Sequence, residues 1–116
     1  MKTEILVIDD NADIRFLTCN ILKENGYTVR SAANYNQAVQ EINGKLPDLA
    51  IVDIRLDKSD KDGINLLKLL MQKNKSLPVI MISGHANVQV AVEAIRLGAY
   101  EFVEKPFSSE KLLNYV

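Results

Sequence analysis

The sequence has a single cysteine, Cys19, so no disulfide can form within the chain. It contains no tryptophan, and aromatic residues make up only 6% of it. No apolar run approaches the ~18 residues that a membrane-spanning helix needs, and the first residues lead into a strand-like segment without a secretory signal pattern. We therefore expect a cytoplasmic protein without membrane association, in which Cys19 is an unreactive packing residue.

An excess of charge of one sign is also absent. The 14 basic and 15 acidic residues give a net charge of -1, so we expect no basic surface for direct binding of nucleic acid by this segment. What the chain does have is a hydrophobic fraction of 47% over 116 residues. That is enough for one globular domain with its own core.

Short apolar runs alternate with segments of helical periodicity along the chain. The predicted strands are residues 5–8, 27–31, 49–52, 79–82 and 100–103. Apolar residues at helical spacing follow each of them, at 14–22, at 38–42 with a stop before Gly44, after Gly63, at 88–95 with an end at Gly98, and at 112–113 with Ser108 as N-cap. This order predicts an α/β fold in which helices cover both faces of a parallel sheet.

Four of the predicted strands end in polar residues suited to metal or phosphate chemistry. Asp9 and Asp10 follow the first run, Asp53 the third and Ser83 the fourth, and Lys105 lies just after the fifth. Ligands of open parallel sheets bind at the carboxyl ends of the strands. We therefore expect these side chains to meet at one edge of the sheet.

Each of these residues has a possible role in such a site and a simpler explanation. The three carboxylates would hold Mg²⁺, and Asp53 would also be placed to attack a phosphoryl group and form an acyl phosphate. Alternatively, the residues after the first strand only cap a helix, and Asp53 only begins a loop. Ser83 and Lys105 would donate to phosphoryl oxygens, or else cap a helix and extend into solvent.

Together these motifs resemble the receiver domain of two-component response regulators. They stand in the sequence as VIDD (7–10), IVD (51–53), MISG (81–84) and FVEKPF (102–107), and the resemblance covers the whole chain. It implies a three-layer αβα, doubly wound flavodoxin-like fold, as in CheY, with five parallel strands in the order 2-1-3-4-5. Segment 84–107 resembles the NtrC group, most closely its NtrX branch. The expected domain is therefore residues 1–116, as the N-terminal receiver of a longer transcriptional regulator with ATPase and DNA-binding output domains.

The resemblance assigns roles to the acidic residues. It makes Asp53 the acceptor of a phosphoryl group from a sensor histidine kinase, in a reaction that requires Mg²⁺. Asp10 matches a direct Mg²⁺ ligand, and Asp9 the acid that acts mainly through metal-bound water. The backbone carbonyl of Arg55 would be a further ligand. Such a domain is a switch rather than an enzyme, because it catalyses only its own phosphorylation and dephosphorylation.

The remaining motif residues match the switch itself. Ser83 and Lys105 correspond to the hydroxyl and the lysine that sense the phosphate. Phe102 corresponds to the aromatic side chain that turns inward on activation, although ordinary core packing also explains an aromatic residue there. The signal would reach the face formed by the fourth helix, fifth strand and fifth helix, where a second receiver or the output domain binds.

The loop after Asp53 departs from the usual receiver pattern. It has no proline, and Gly63 stands ten residues after Asp53, further than in most receivers. Arg55 and His85 each lie two residues beyond a site residue, and the hypothesis is that they tune the lifetime of the acyl phosphate. The simpler alternative is a solvated, mobile loop and an exposed histidine.

Three other functions compete with this interpretation. A receiver-like module that binds partners without phosphorylation would have the same fold. A flavodoxin-like cofactor domain needs a neutral loop after the first strand, whereas the loop here is acidic. A haloacid-dehalogenase-type phosphatase needs an aspartate at position 11, where the chain has Asn11. A P-loop NTPase is excluded because the chain has no GxxxxGK run.

Overall fold

A computed structural model describes residues 3–54, 56, 60–84, 88–105 and 107–116, with backbone only at 60 and 61. Five strands and five helices alternate in it. They are β1 (Glu4–Ile8), α1 (Ala12–Glu24), β2 (Thr28–Ala32), α2 (Tyr35–Gly44), β3 (Leu49–Asp53), α3 (Asp60–Lys73), β4 (Val79–Ser83), α4 (Val88–Arg96), β5 (Glu101–Glu104) and α5 (Ser109–Tyr115). None of these helices is long and apolar enough to cross a bilayer.

The strands form one parallel sheet in the order β2-β1-β3-β4-β5. The chain moves outward from β1 to β2 on one side, then crosses to β3 and continues through β4 to β5 on the other. The order therefore reverses between β1 and β3, where open sheets of this type bind their ligands. The predicted doubly wound fold and its strand order are confirmed.

Alternate residues of the central strands supply two separate cores, one on each face of the sheet. Leu6 and Ile8 of β1 pack with buried side chains of α2, α3 and α4, whereas Ile5 and Val7 pack with those of α1 and α5. All four are fully buried, and each such aliphatic side chain contributes roughly 1.5–3 kcal/mol to folding. The continuous apolar runs of the sequence arise because both faces of these strands are covered.

Helix α3 begins earlier than the sequence pattern predicts. The prediction placed its start after Gly63, but it starts at Asp60 and contains Gly63 near its beginning. There the Gly63 N–H donates to the Ile54 carbonyl at 3.0 Å. A Cβ at Gly63 would overlap the backbone of Asp53 and Ile54, so glycine lets the helix pack directly against the end of β3.

Smaller differences occur in two other helices. Helix α2 continues through Gly44 instead of stopping before it. Helix α4 ends at Arg96, and Gly98 follows with φ +112°, a left-handed conformation that glycine adopts at helix ends. Of the apolar residues that indicated α4, Val88, Val92 and Ile95 are exposed and Ala91 is partly buried, whereas Ala94 is buried.

Candidate functional site

The predicted site residues lie at the carboxyl edge of the sheet. Asp53 and Ser83 are the last residues of the neighbouring strands β3 and β4, and they are 4% and 6% exposed. Asp9 directly follows β1 and is fully buried. Lys105 directly follows β5, and its backbone N–H donates to the Ser83 carbonyl at 2.7 Å. Four neighbouring strands, β1, β3, β4 and β5, thus bring the residues at or just after their carboxyl ends to one edge of the sheet.

Lys105 contacts two of the buried carboxylates at once. Its Nζ lies 2.9 Å from Oδ2 of Asp9 and 2.9 Å from Oδ2 of Asp53. The contact with Asp53 is a hydrogen bond. Burial by itself lowers the pKa of Lys105, but the hydrogen bond to Asp53 and the charges of both carboxylates outweigh it, so the pKa is raised. Lys105 is therefore a cation here, and the alternative that it extends freely into solvent does not describe it.

Three carboxylates form a cluster suited to a metal ion. Asp9, Asp10 and Asp53 each offer an oxygen, and these oxygens lie within 4.8 Å of one another. Asp9 Oδ2 is buried, and the contact that it makes among the described residues is the ion pair with Lys105 Nζ at 2.9 Å. Three carboxylate oxygens this close together are the kind of donor set that Mg²⁺ prefers. The residues present therefore fit Mg²⁺.

Asn11, rather than Asp10, caps the first helix. The Asn11 side chain accepts a hydrogen bond from the Ile14 N–H at 3.0 Å, and the Asn11 N–H donates to Asp9 Oδ1 at 2.9 Å. Asp10 is exposed and makes no hydrogen bond or ion pair with any other described residue. The capping alternative therefore holds for Asn11 and leaves the Asp10 carboxylate available to a ligand.

Arg15 takes part in the same turn, although no motif in the sequence indicates it. Its Nη1 donates to the backbone carbonyl of Asp9 at 2.7 Å. Every residue has a backbone carbonyl, so a hydrogen bond from a side chain to a carbonyl does not require a particular residue type as acceptor. A single sequence therefore gives no pattern that predicts such a bond. The only available signal is that an arginine early in α1 lies within reach of the strand end.

The predicted switch residues occupy two neighbouring strands. Phe102 of β5 is opposite Met81 of β4 in the parallel register, and Ser83 lies two residues beyond Met81. The Phe102 side chain is partly buried and packs against the core cluster that contains Met81. Ser83 ends β4, and the alternative that its hydroxyl caps a helix falls on residues 85–87, which lie outside the described residues.

The structure also bears on the other residues that the sequence analysis named. Cys19 is buried, and burial raises the pKa of its thiol, which agrees with an unreactive packing residue. Ser108 is the N-cap of α5 and accepts from the Lys111 N–H at 3.1 Å. Arg55 and His85 lie outside the described residues, so their proposed roles stay predictions.

Comparison with known proteins shows the family to which the chain belongs. A family model described as the response regulator receiver domain matches residues 5–116. The nitrogen assimilation regulatory protein NtrX of Azorhizobium caulinodans is 42% identical over 113 residues, covering 97% of this chain and 25% of that protein. The crystal structure of the receiver domain of NtrX from Brucella abortus is 45% identical, with a TM-score of 0.87 over 95% of this chain and 92% of that one.

A second solved structure contains the modified residue that the site chemistry suggests. It is a response regulator from Burkholderia pseudomallei with a phosphorylated aspartic acid, a calcium ion and citrate, 27% identical, with a TM-score of 0.90 over 98% of this chain and 66% of that one. The chain spans about a quarter of the length of the curated relatives it matches, which include NtrX and, at lower identity, NtrC proteins. The chain belongs to the family of response regulator receiver domains, and within it is most like those of the NtrX regulators.

Proposed function

We propose that this domain accepts a phosphoryl group from the phosphohistidine of a sensor kinase onto Asp53, in a reaction that requires Mg²⁺. The observation that carries the proposal is the position of the Lys105 ammonium, 2.9 Å from the carboxylates of both Asp9 and Asp53. The cluster of three carboxylates beside it supplies ligands for the metal. A nucleophile, a cation and a set of metal-binding carboxylates thus lie together at one edge of the sheet.

The transfer is a substitution at phosphorus. An oxygen of the Asp53 carboxylate attacks, an acyl phosphate bond forms, and the phosphorus–nitrogen bond to the kinase histidine breaks. The imidazole nitrogen leaves with the electron pair and is protonated from solvent. Mg²⁺, when bound by Asp9, Asp10 and Asp53, offsets the repulsion between these carboxylates and the incoming phosphoryl group.

The chain's own contribution is positioning and charge, as is typical of phosphoryl transfer. Asp53 is fixed at the end of a fully buried strand, so its carboxylate has little freedom to lose in the reaction. Lys105 contacts Asp53 and would move its ammonium from that carboxylate to an oxygen of the transferred group. The raised pKa of Lys105 keeps this side chain charged at neutral pH.

Phosphorylation would act by shifting an existing conformational equilibrium. Ser83 lies at the end of the strand beside Asp53, and Phe102 packs on the core next to that strand. The path leads to the α4–β5–α5 face, made of Val88–Arg96, Glu101–Glu104 and Ser109–Tyr115. On this face Val88, Val92, Ile95 and Tyr100, which adjoins β5, expose large apolar side chains, as interaction surfaces do.

The relatives support a wider proposal about the protein to which this domain belongs. We propose that the chain is the N-terminal receiver of a cytoplasmic NtrX-type regulator of nitrogen metabolism. The ATPase and DNA-binding output domains that the resemblance implies would read the switch. The domain itself would bind neither DNA nor a membrane. It would catalyse only its own phosphorylation and dephosphorylation, so it is not an enzyme in the usual sense.

The test uses acetyl phosphate as a small phosphoryl donor. Wild-type protein with Mg²⁺ should gain the mass of one phosphoryl group, whereas Asp53→Asn, and wild type in EDTA, should not. Ser109→Ala, which changes an exposed hydroxyl at the start of α5, serves as a control and should behave as wild type. Absence of the adduct in wild type would instead favour a receiver-like module that binds partners without phosphorylation.

A further inference from the structure

The turn between β1 and α1 is held by hydrogen bonds on both sides of Asp10. Before it, the Asp9 N–H donates to the carbonyl of Ala32 at 3.2 Å. After it, the Asn11 N–H donates to Asp9 Oδ1 at 2.9 Å, and the Asn11 side chain caps α1. Asp10 itself makes no bond with another described residue. The direction of its carboxylate therefore depends on the turn that carries it.

Arg15, a residue of α1, makes hydrogen bonds to this turn. It is partly buried in α1, and its Nη1 donates to the carbonyl of the fully buried Asp9 at 2.7 Å. A charged donor makes a stronger hydrogen bond than a neutral one. The backbone N–H of Arg15 also donates to the Asn11 carbonyl at 2.9 Å. Arg15 thus holds the residue before Asp10 with its side chain and the residue after it with its backbone.

We propose that Arg15 is a positioning residue for the metal site. It holds the Asp9–Asn11 turn so that the Asp10 carboxylate faces the oxygens of Asp9 and Asp53, within the 4.8 Å that the cluster spans. The inference rests on the proposed function and adds to it a residue that touches neither the metal nor the phosphoryl group.

The hydrogen bond that Arg15 donates to Asp9 and the positive charge of Arg15 should have opposite effects on Mg²⁺ binding. A guanidinium bonded to the backbone carbonyl of Asp9 would repel a cation that binds at the neighbouring carboxylates, so loss of the charge alone would tighten Mg²⁺ binding. Loss of the hydrogen bond to Asp9 would release the turn and weaken Mg²⁺ binding, because the ligands must then be ordered as the ion binds. The direction of the change therefore separates positioning from a nearby charge.

The experiment measures Mg²⁺ affinity directly, by titrating ¹⁵N-labelled protein with MgCl₂ and following the amide signals of Asp10 and Asn11. Arg15→Met removes donor and charge while keeping much of the side chain's apolar length, and should bind Mg²⁺ roughly three- to tenfold more weakly, the range for one hydrogen bond. Arg15→Lys keeps a charged donor and should recover part of the loss. Lys23→Met removes an exposed cation from the same helix and should bind as wild type does.

Thermal unfolding is measured alongside, because a merely structural role has a different signature. If Arg15→Met lowers the unfolding temperature but leaves Mg²⁺ affinity unchanged, or binds Mg²⁺ more tightly, the positioning role is wrong. If Arg15→Met does not fold, Arg15→Gln decides in the same way, since its amide is neutral and too short to reach the Asp9 carbonyl. Wild-type protein that neither binds Mg²⁺ nor accepts a phosphoryl group would overturn the proposed function itself. Normal wild-type behaviour with insensitive Arg15 variants would overturn only this inference.

Discussion

Lys105 balances two buried carboxylates, so its removal should be costly. We expect Lys105→Met to lower the free energy of unfolding by about 3 kcal/mol at neutral pH, because Asp9 and Asp53 would remain buried beside each other without a cation. Urea denaturation measures this change, with Lys111→Met, at an exposed position of α5, as control. Equal stability of Lys105→Met and wild type would show that the ion pairs have little net value.

The pH dependence of that difference follows from the raised pKa of Lys105. A lysine whose pKa is higher in the folded state stabilises fully below its unfolded pKa, here 10.5, and its contribution is lost as pH rises through the folded value. The stability gap between wild type and Lys105→Met should therefore stay level between neutral pH and about pH 10, then shrink above it. A gap that closes already near pH 8 would contradict the raised pKa.

Asp10 places a third negative charge beside two buried ones, which should cost stability without a metal. We expect Asp10→Asn to raise the thermal unfolding temperature in EDTA, since it relieves repulsion within the cluster. Mg²⁺ should raise the unfolding temperature of wild type more than that of Asp10→Asn, because binding to the native state stabilises it. Equal responses to Mg²⁺ would remove Asp10 from the ligand set.

At the residue scale the sequence predicted which side chains lie together at the carboxyl edge of the sheet, but not the contacts between them. Strand-end positions identified Asp9, Asp53 and Lys105, because parallel strands bring their carboxyl ends to one edge. The double contact of Lys105 depends on the exact reach of one side chain across the sheet, which no pattern encodes. The bond from Arg15 to a backbone carbonyl was missed for the same reason.

Among the elements, helix α3 depends on a glycine that faces the end of β3. Gly63→Ala should lower the free energy of unfolding by about 1–3 kcal/mol, the range for overpacking, because the new Cβ would overlap the backbone of Asp53 and Ile54. Gly44→Ala is the matched control, since nothing lies within 4 Å of a Cβ there. It should be neutral or slightly stabilising.

Displacement of the Asp53 backbone should also slow phosphorylation of Gly63→Ala relative to Gly44→Ala, as measured with acetyl phosphate. Identical stability and identical rates for the two variants would mean that α3 can shift away from β3 without consequence. The contact would then be incidental to the site.

Helix α4 shows what periodicity reveals and what it does not. The spacing of Val88, Val92 and Ile95 correctly predicted a helix, but these residues are exposed. The helix contacts the core through the buried Ala94 and the partly buried Val90. Hydrophobic spacing identifies a face that avoids water; it does not say whether the same chain or another covers it. The start of α3 was likewise missed. In the sequence a glycine usually indicates a helix boundary, whereas Gly63 lies inside α3 and packs against the end of β3.

For the molecule as a whole, the two-sided core followed from the continuous apolar runs of β1, β3 and β4, which require cover on both faces. The strand order was implied by the resemblance to receiver domains, and the structure confirms it. The exposed stripe of α4 then predicts association on activation. Beryllofluoride, which mimics the phosphoryl group, should promote self-association of wild type in sedimentation velocity. Val92→Glu should abolish it by placing charge on the 47% exposed centre of the stripe.

Leu17→Glu provides the control for that experiment, because Leu17 is 59% exposed on α1, on the opposite side of the sheet. It should associate as wild type does. If Leu17→Glu blocks association while Val92→Glu does not, the contact surface lies on α1. If beryllofluoride leaves every variant monomeric, the α4 stripe serves a different partner.

The central claim, that Asp53 is the residue that carries the phosphoryl group, is tested most directly by chemical trapping. Borohydride reduces an aspartyl phosphate to homoserine, which peptide mass spectrometry locates in the sequence. After treatment with acetyl phosphate and Mg²⁺, homoserine should appear at position 53 and be absent when Mg²⁺ is withheld. Homoserine at Asp9 or Asp10, or at no position in Mg²⁺-treated protein, would contradict the account.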